Sequence, residues 1–260
     1  MTTFNRAAAI LALALVSSGV LAKNPNELRI GVEASYPPFE SKSASGQLQG
    51  FDIDLGNAIC AKLNTRCVWV ENAFDGLIPA LQARKFDAID SSMNVTEERL
   101  RAINFTSVMY TVPLQLVARS NSGLLPTVES LKGKRVGVLQ GSIFEIYAKA
   151  NWAGQGVDVR SYADQDQVYA DLAVGRLDAA LQESQAALDG FLKRSQGAGF
   201  AFAGGPVHDD KIFGQGIGIG VRKADTELKQ QLDQAIAQLK ADGTFDKIAK
   251  KYFQVDVIAK

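Results

Sequence analysis

Short apolar runs alternate with stretches of helical period along most of the 260-residue chain. The runs with the length and composition of buried strands are 28–32, 67–70, 88–89, 136–139, 157–159, 179–181 and 217–221. Apolar residues recur at the spacing of a helix face in 52–63, 77–83, 144–150, 167–174, 184–192 and 228–239. Alternation of this kind predicts an α/β fold with parallel sheets.

Two extended segments, 110–116 and 213–219, interrupt this alternation and are rich in β-formers or glycine. If the chain crosses between two lobes at both, 112–213 forms one lobe, and 23–111 together with 214–260 forms the other. No internal sequence repeat or low-complexity tract is evident. The sequence therefore predicts a two-lobed molecule rather than a string of separate domains.

The first 22 residues have the layout of a cleavable signal peptide. Arg6 precedes an apolar run over 7–16, and small residues lead to Val20-Leu21-Ala22. The run is shorter than the roughly 20 residues that span a bilayer. We expect cleavage after Ala22 and release of a soluble protein into the periplasm; a retained anchor is the alternative.

The charge balance excludes some classes of partner. Removing residues 1–22 takes one Arg from the 28 basic residues and none from the 28 acidic ones, which leaves 27 − 28 = −1. A near-neutral chain without a Lys/Arg tract has no electrostatic footprint for nucleic acid or for an anionic membrane. We expect a monomer whose partners are a small molecule and another protein.

The two cysteines, Cys60 and Cys67, predict a structural disulfide, because lone pairs of cysteines in an oxidising compartment form disulfides. A metal site is not expected, since His208 is the only histidine and lies far along the chain. No cofactor is expected either.

Ligands of open α/β sheets bind beyond the carboxyl ends of the strands. The residues that follow the predicted strands are polar, aromatic and acidic: 33–39, 72–74, 91–94, 140–144 and 182–183. These segments are the candidate walls of a binding site.

Arg99 is the clearest candidate within them. Thr96 is typical of a helix N-cap, so Arg99 falls near the positive end of the helix dipole, an unfavourable place for a cation. A bound anion would resolve the conflict, since arginine can hold a carboxylate by two hydrogen bonds, with Ser91 and Ser92 nearby. The alternative is a surface arginine paired with Glu98.

For the other candidate binding residues, a purely structural role is the alternative to ligand binding. Gly141 and Ser142 follow a strand and open a helix, which suits a ligand site or an ordinary loop. Glu33 and Glu183 end strands and would attract a cation if they faced one cleft, but each could instead be a helix-start carboxylate. The aromatic rings that follow strands, at positions 36 and 74, could flank a cationic side chain or pack in the core.

The sequence resembles the polar amino-acid-binding proteins of ABC importers, the family that includes the histidine-binding and the lysine/arginine/ornithine-binding proteins. The resemblance runs from Leu28 to Tyr252. It is carried by the segments 36–40, 50–55, 86–99, 131–142, 175–179 and 241–244.

This resemblance implies two α/β lobes of the type II periplasmic binding protein fold, joined by two crossover strands that form the hinge. It implies that the lobes close on the ligand like a trap. The positions that match the family's ligand-binding residues are Glu33, Tyr36, Phe74, Ser91, Ser92, Asn94, Arg99, Leu139, Ser142, Ile143 and Glu183. The bridge between Cys60 and Cys67 also matches the branch that binds basic amino acids.

The implied roles divide between the two ends of an amino acid. At the α-carbon end, Arg99 would hold the carboxylate with the N–H groups of Ser92 and Ile143. Glu183 would hold the ammonium, with Ser92 and Asn94.

At the distal end, Glu33, Ser91 and the carbonyl of Leu139 would meet the ligand side chain, which Tyr36 and Phe74 would flank. This grouping implies a cationic ligand.

Four positions depart from the family pattern. That branch has Asp where this chain has Glu33 and Glu183, Ser at Asn94 and Thr at Ile143. The two acids keep their charge but reach about one methylene further. Phe144 also stands where a polar side chain is common. The departures place the exact ligand in doubt rather than its class.

The resemblance implies capture of arginine, lysine, ornithine or histidine and delivery to the permease of an ABC importer. A different polar amino acid or derivative is the alternative ligand, and a chemoreceptor is a further candidate partner. Exported dehydratases for cyclic acids, such as cyclohexadienyl dehydratase, resemble this fold, with Glu183 or Glu33 as candidate acid or base. We expect a binding protein and not an enzyme.

Overall fold

The computed structural model describes residues 26–253, so the predicted signal peptide lies outside the described residues. The strands are β1 (Glu27–Val32), β2 (Ser35–Tyr36), β3 (Glu40–Lys42), β4 (Leu48–Gln49), β5 (Arg66–Glu71), β6 (Ala88–Ile89), β7 (Ile103–Phe105), β8 (Leu114–Arg119), β9 (Arg135–Leu139), β10 (Asp158–Tyr162), β11 (Ala179–Glu183), β12 (Phe200–Phe202) and β13 (Gly220–Arg222). The α-helices are α1 (Phe51–Lys62), α2 (Leu77–Gln82), α3 (Glu97–Ala102), α4 (Val128–Leu131), α5 (Ile143–Asn151), α6 (Gln165–Ala173), α7 (Ser184–Ala187), α8 (Asp210–Phe213), α9 (Thr226–Ala241) and α10 (Thr244–Tyr252).

The strands form two five-stranded sheets with the same plan. The first has the order β5-β1-β6-β13-β7, and the second has the order β10-β9-β11-β8-β12. In each sheet three neighbouring strands are parallel, and the other two complete it by antiparallel pairing. A small antiparallel sheet, β2-β3-β4, lies beside them. The predicted α/β fold is therefore confirmed.

The chain passes twice between the sheets. It leaves the first sheet after β7 and enters the second at β8, then leaves the second after β12 and returns at β13. The passing segments pair with each other at Tyr110 and Ile217, and Leu114 pairs with Val207. We call the part built on the first sheet lobe 1, with α1, α2, α3, α9 and α10, and the part built on the second sheet lobe 2, with α5, α6 and α7.

The predicted apolar runs coincide or overlap with β1, β5, β6, β9, β10, β11 and β13, and the predicted helical stretches overlap with α1, α2, α5, α6, α7 and α9. The parallel strands β9 and β11 are buried along almost their whole length. Helices cover both faces of such sheets, so continuous apolar runs are the expected pattern.

An arginine and an aspartate join two parallel strands at their amino ends in lobe 1. Arg29 of β1 donates from Nε and Nη2 to the two carboxylate oxygens of Asp87, each at 3.1 Å. Asp87 is almost completely buried and immediately precedes β6. Two residues beyond the arginine, Gly31 leaves room for the ring of Phe86, which would lie 2.4 Å from a Cβ at that position.

Lobe 2 contains the same arrangement. Arg135 of β9 donates from Nε and Nη2 to Asp178, each at 2.9 Å, and Asp178 immediately precedes β11. Gly137 leaves room for Leu177, which would lie 2.4 Å from a Cβ there. We call each of these pairs an Arg–Asp clip, and bidentate pairs of this kind fix both distance and orientation.

Cys60 in α1 and Cys67 in β5 form a disulfide, as predicted. The bond joins α1 to β5, an edge strand of the first sheet. Within residues 26–253, no helix combines the length and the apolar composition needed to cross a bilayer.

We expect the double variant Cys60→Ser/Cys67→Ser to lose about 2 to 3 kcal/mol of unfolding free energy, because the bridge restricts the unfolded chain. Urea unfolding followed by circular dichroism measures this loss. Reductant should destabilise the native protein by a similar amount and leave the variant unchanged. Equal stability of the two proteins without reductant would contradict the expectation.

Candidate ligand-binding site

A cavity lies between the carboxyl ends of the parallel strands of the two sheets. It encloses about 270 Å³ of space free of protein atoms, counting the part open to solvent. Its lining residues are Glu33, Tyr36, Glu40, Phe74, Ser91, Ser92, Asn94, Leu139, Ser142, Ile143 and Phe144. The lining contains all the predicted site residues except Arg99 and Glu183. Arg99 donates to the carbonyl of Asn94, and the N–H of Glu183 donates to the hydroxyl of Tyr36, and both of these partners are lining residues. Segments far apart in the sequence thus converge on one place.

Arg99 is held at the start of α3. The hydroxyl of Thr96 accepts the N–H of Arg99 at 3.3 Å, which confirms the predicted N-cap. The guanidinium donates from Nη1 to the carbonyl of Asn94 at 2.9 Å and from Nη2 to the carbonyl of Gly141 at 3.0 Å. Arg99 is only 8% exposed, so the alternative of a surface arginine is wrong. Burial lowers its pKa to about 10, and it stays charged at neutral pH.

Glu183 is the last residue of β11 and has no exposed surface. Neither of its carboxylate oxygens is within hydrogen-bond distance of a donor in the part of the chain that the structure describes, although the nearby Tyr36 hydroxyl and Arg99 favour its ionised form. Burial raises its pKa to about 8. A buried carboxylate without a partner is costly, and a cation in the cavity would remove that cost.

Glu33 is the second acid that the sequence singled out. Its N–H donates to the hydroxyl of Ser91 at 3.0 Å, and its Oε1 accepts from the hydroxyl of Ser35. Its Oε2 is buried and has no partner among residues 26–253. Burial raises the pKa of Glu33 to about 7. Glu33 and Glu183 therefore both carry unused acceptor atoms.

Ser92 has a left-handed backbone conformation, with φ of 45°. Its N–H donates to Oδ2 of Asp52 at 2.7 Å, and its hydroxyl lies 2.9 Å from that of Tyr110. The resemblance assigned this N–H to a ligand carboxylate, but in this structure Asp52 holds it. A strained conformation at a non-glycine residue is typical of functional sites. Ser92 is one of the residues that line the cavity.

Sequence reasoning missed Asp52, Tyr110 and Glu40. The Tyr110 hydroxyl donates to both oxygens of Asp52, at 2.7 and 2.9 Å, and Glu40 accepts from Ser91 at 3.1 Å. All three side chains are almost completely buried. Glu40 and Asp52 stand inside motifs that carry the family resemblance, but no local pattern marks either acid as buried.

The start of α5 is a part of lobe 2 that lines the cavity. Ser142 caps this helix by accepting the N–H of Glu145 at 3.1 Å, as its predicted place at a helix opening requires. Its hydroxyl donates to the carbonyl of Leu139 at 2.6 Å. The N–H of Ile143 lies in the first turn, where backbone donors have no partner within the helix. This N–H is available to an anion.

Aromatic rings from both lobes line the same space. Tyr36 of lobe 1 stacks on Phe144 of lobe 2, with ring centroids 6.4 Å apart and an interplanar angle of 15°. The guanidinium of Arg99 lies over the ring of Phe74, 5.4 Å from its centroid. Tyr36 and Phe74 are buried and also line the cavity, so each ring both packs in the core and faces the candidate site.

The lobes also touch each other directly beside the cavity. Gln140 donates from Nε2 to Oδ2 of Asp75 at 2.7 Å, and the Glu183 N–H donates to the hydroxyl of Tyr36 at 3.3 Å. Gly141 has φ of 75°, and a Cβ there would lie 2.8 Å from the Cα of Asp75. Close approach of the lobes therefore depends on this glycine.

Asp90, which breaks an apolar run in the sequence, does not line the cavity. It is buried, its Oδ2 has no hydrogen-bond partner among the described residues, and Gly56 of α1 lies close by. Burial raises its pKa well above the ordinary range.

Two lobes, two chain crossings and a cavity lined from both sides define a binding protein that encloses a small ligand between its lobes. The chain belongs to the bacterial extracellular solute-binding proteins, family 3, whose model matches residues 28–255. This membership confirms the predicted family. It also favours a binding protein over the dehydratase alternative.

The histidine-binding periplasmic protein of Escherichia coli K12 is 49% identical over 253 residues, which cover 95% of this chain and 97% of the relative. The lysine/arginine/ornithine-binding periplasmic protein of the same organism is 50% identical over 253 residues, with the same coverage. Among solved structures, an ancestral arginine-binding protein bound to arginine superposes with a TM-score of 0.82 at 36% identity. That match covers 88% of this chain and 98% of the other.

We expect Gly141→Ala to weaken ligand binding by at least about tenfold, because the added methyl group meets the Asp75 backbone and opposes closure. Gly175→Ala is the matched control, since Gly175 has the same φ of 75° but no atom within 4 Å of a Cβ. Titration calorimetry with the cognate amino acid measures both variants. Equal effects of the two substitutions would show that backbone strain, and not the contact between lobes, is responsible.

Proposed function

We propose that this protein captures a cationic L-amino acid in the periplasm and delivers it to the permease of an ABC importer. The observation that carries the proposal is the pair of Arg99 and Glu183. Both are buried and they come from different lobes. Glu183 is opposite in charge to Arg99 once it is ionised, and neither of its oxygens accepts a hydrogen bond from residues 26–253. The α-carbon of an amino acid carries the complementary pair of charges.

The proposed grip at the α-carbon uses both lobes. Arg99 holds the carboxylate together with the first-turn N–H of Ile143, and Glu183 holds the ammonium with the hydroxyl of Ser92 and with Asn94. A ligand favours closure only if it binds the closed form better than the open one. Contacts with Arg99 in lobe 1 and Glu183 in lobe 2 meet that condition.

The proposed distal site contains Glu33, Ser91 and the aromatic rings of Tyr36 and Phe74. The unused Oε2 of Glu33 accepts from an ammonium, guanidinium or imidazolium group. The names of the two relatives, which specify histidine and lysine, arginine or ornithine, support the same class of ligand. Glu33 reaches further than an aspartate, so the preferred member of the class can differ from theirs.

The remaining parts of the proposal concern the whole molecule. Lobe 1 comprises 23–111 and 214–260, and lobe 2 comprises 112–213; the positions of β7, β8, β12 and β13 support these limits. Residues 1–22 direct export and are removed. The mature protein acts as a monomer, docks on the permease when closed, and is a candidate ligand for a chemoreceptor.

Calorimetry on unfolded, washed and refolded protein tests the function. We expect binding of at least one of arginine, lysine, ornithine and histidine, and a loss of at least about 100-fold in Arg99→Ala, which removes the partner of a buried charge. The control is Arg101→Ala on the exposed face of the same helix. Tight binding of only acidic or apolar amino acids would refute the proposed ligand class, and retained affinity in Arg99→Ala would refute the grip.

Ligand binding should release protons near neutral pH. Burial raises the pKa of Glu183 to about 8 and of Glu33 to about 7 before a ligand is present. A bound cation favours the ionised acids, so the complex holds fewer protons, and affinity should rise with pH up to about 8. Calorimetry in two buffers with different ionisation enthalpies counts the protons. Proton uptake, or affinity that falls over this range, would contradict the assignment.

A further inference from the structure

The hydroxyl of Ser91 lies between two buried acids. It accepts the N–H of Glu33 at 3.0 Å and donates to Oε1 of Glu40 at 3.1 Å. A serine hydroxyl has one proton and two acceptor lone pairs. The proton and one lone pair are therefore used within the protein, and one lone pair remains on the hydroxyl of this cavity-lining residue.

Glu40 is the first residue of β3 and is 1% exposed. Its second oxygen, Oε2, has no donor in the described part of the chain, and the carboxyl of Asp52 lies within hydrogen-bond reach. Asp52 already accepts from Ser92 and Tyr110. Burial, with Asp52 and Glu33 close by, raises the pKa of Glu40 well above its ordinary range. A proton shared between the carboxyl groups of Glu40 and Asp52 would relieve the repulsion between them.

The direction of the Ser91 hydrogen bond does not depend on this proton. An ionised Glu40 accepts at both oxygens. A neutral Glu40 whose proton is on Oε2 presents a carbonyl-like Oε1, which also only accepts. In both states the hydroxyl proton of Ser91 is used in the bond to Glu40 and is not offered to a ligand.

We propose that Glu40 is a positioning residue that determines ligand specificity by fixing the Ser91 hydroxyl as a hydrogen-bond acceptor toward the distal group of the ligand. This inference rests on the proposed function and adds a requirement: the distal group of the ligand must donate a hydrogen bond to Ser91. An N–H of a guanidinium or ammonium satisfies the free lone pair of Ser91. A carbonyl or urea oxygen in the same place would bring its own lone pair against the free lone pair of Ser91, and the two would repel each other.

Arginine and citrulline are the probes, because citrulline is neutral and has an oxygen in place of one terminal nitrogen. Glu40→Gln should keep the ratio of their dissociation constants within about threefold, since its amide nitrogen donates to Asp52 and its oxygen accepts from Ser91. Glu40→Leu removes the acceptor and frees the Ser91 proton to face the ligand. The preference for arginine should then fall by about tenfold or more. An unchanged preference in Glu40→Leu would overturn the proposal.

The double variant separates an effect through Ser91 from direct contact or general damage. In a Ser91→Ala background, Glu40→Leu should change the preference no further, because the hydroxyl that it positions is gone. An undiminished effect would place Glu40 itself against the ligand and overturn the positioning role.

Ser91→Ala alone keeps the proposal testable if Glu40→Leu does not fold. It should weaken arginine more than citrulline, and equal weakening would overturn the inference. If the native protein binds no cationic amino acid, the proposed function fails and this inference fails with it. If it binds arginine while Glu40→Leu keeps the native preference, only this inference fails.

Discussion

The buried guanidinium of Arg99 is the group around which the site is arranged. It donates to one carbonyl in each lobe, Asn94 in lobe 1 and Gly141 in lobe 2, while the ring of Phe74 lies beneath it. Burying a charge is costly unless hydrogen bonds and opposite charges compensate it. Neutral carbonyls compensate only in part, so an anion between the lobes would be stabilised. The Thr96 cap and the tight turn at Gly141 both serve to hold the guanidinium in this place.

The charges around the cavity are unequal, and this inequality gives the site its chemical preference. Glu33 and Glu40 line the cavity, and the buried acids Asp52 and Glu183 form hydrogen bonds with the lining residues Ser92 and Tyr36. The buried Arg99 stands against these four acids. An amino acid zwitterion balances Arg99 and an ionised Glu183 but leaves Glu33, next to Ser91, without a counter-charge. A second positive charge on the ligand corrects the imbalance at that end.

Periodicity and strand-end logic were sufficient for the lobes and for most of the cavity wall. Arg99 was recognisable because a cation at a helix start conflicts with the helix dipole. By contrast, Glu40, Asp52 and Tyr110 gave no local signal, since their burial depends on how β3, α1 and the first crossing segment meet in space. β7 and β12 have only three residues each and are too short to show periodicity. The equivalence of the two Arg–Asp clips also escaped sequence reading, because its matching residues are few and widely spaced.

The Arg–Asp clips lie at the amino ends of the parallel strands, whereas the cavity lies at the carboxyl ends. At the amino ends of its parallel strands each sheet has an Arg–Asp clip and a glycine packed against a neighbouring side chain. At the carboxyl ends it has a buried acid, Glu33 or Glu183, with an oxygen that accepts no hydrogen bond from the described residues. The interactions that hold each lobe together and the groups that select the ligand thus lie at opposite ends of the same strands. Substitutions that change the preferred ligand can accumulate at the carboxyl ends of the strands without weakening the interactions that hold each lobe together. A chain built in this way is a favourable starting point for evolving or engineering new specificities.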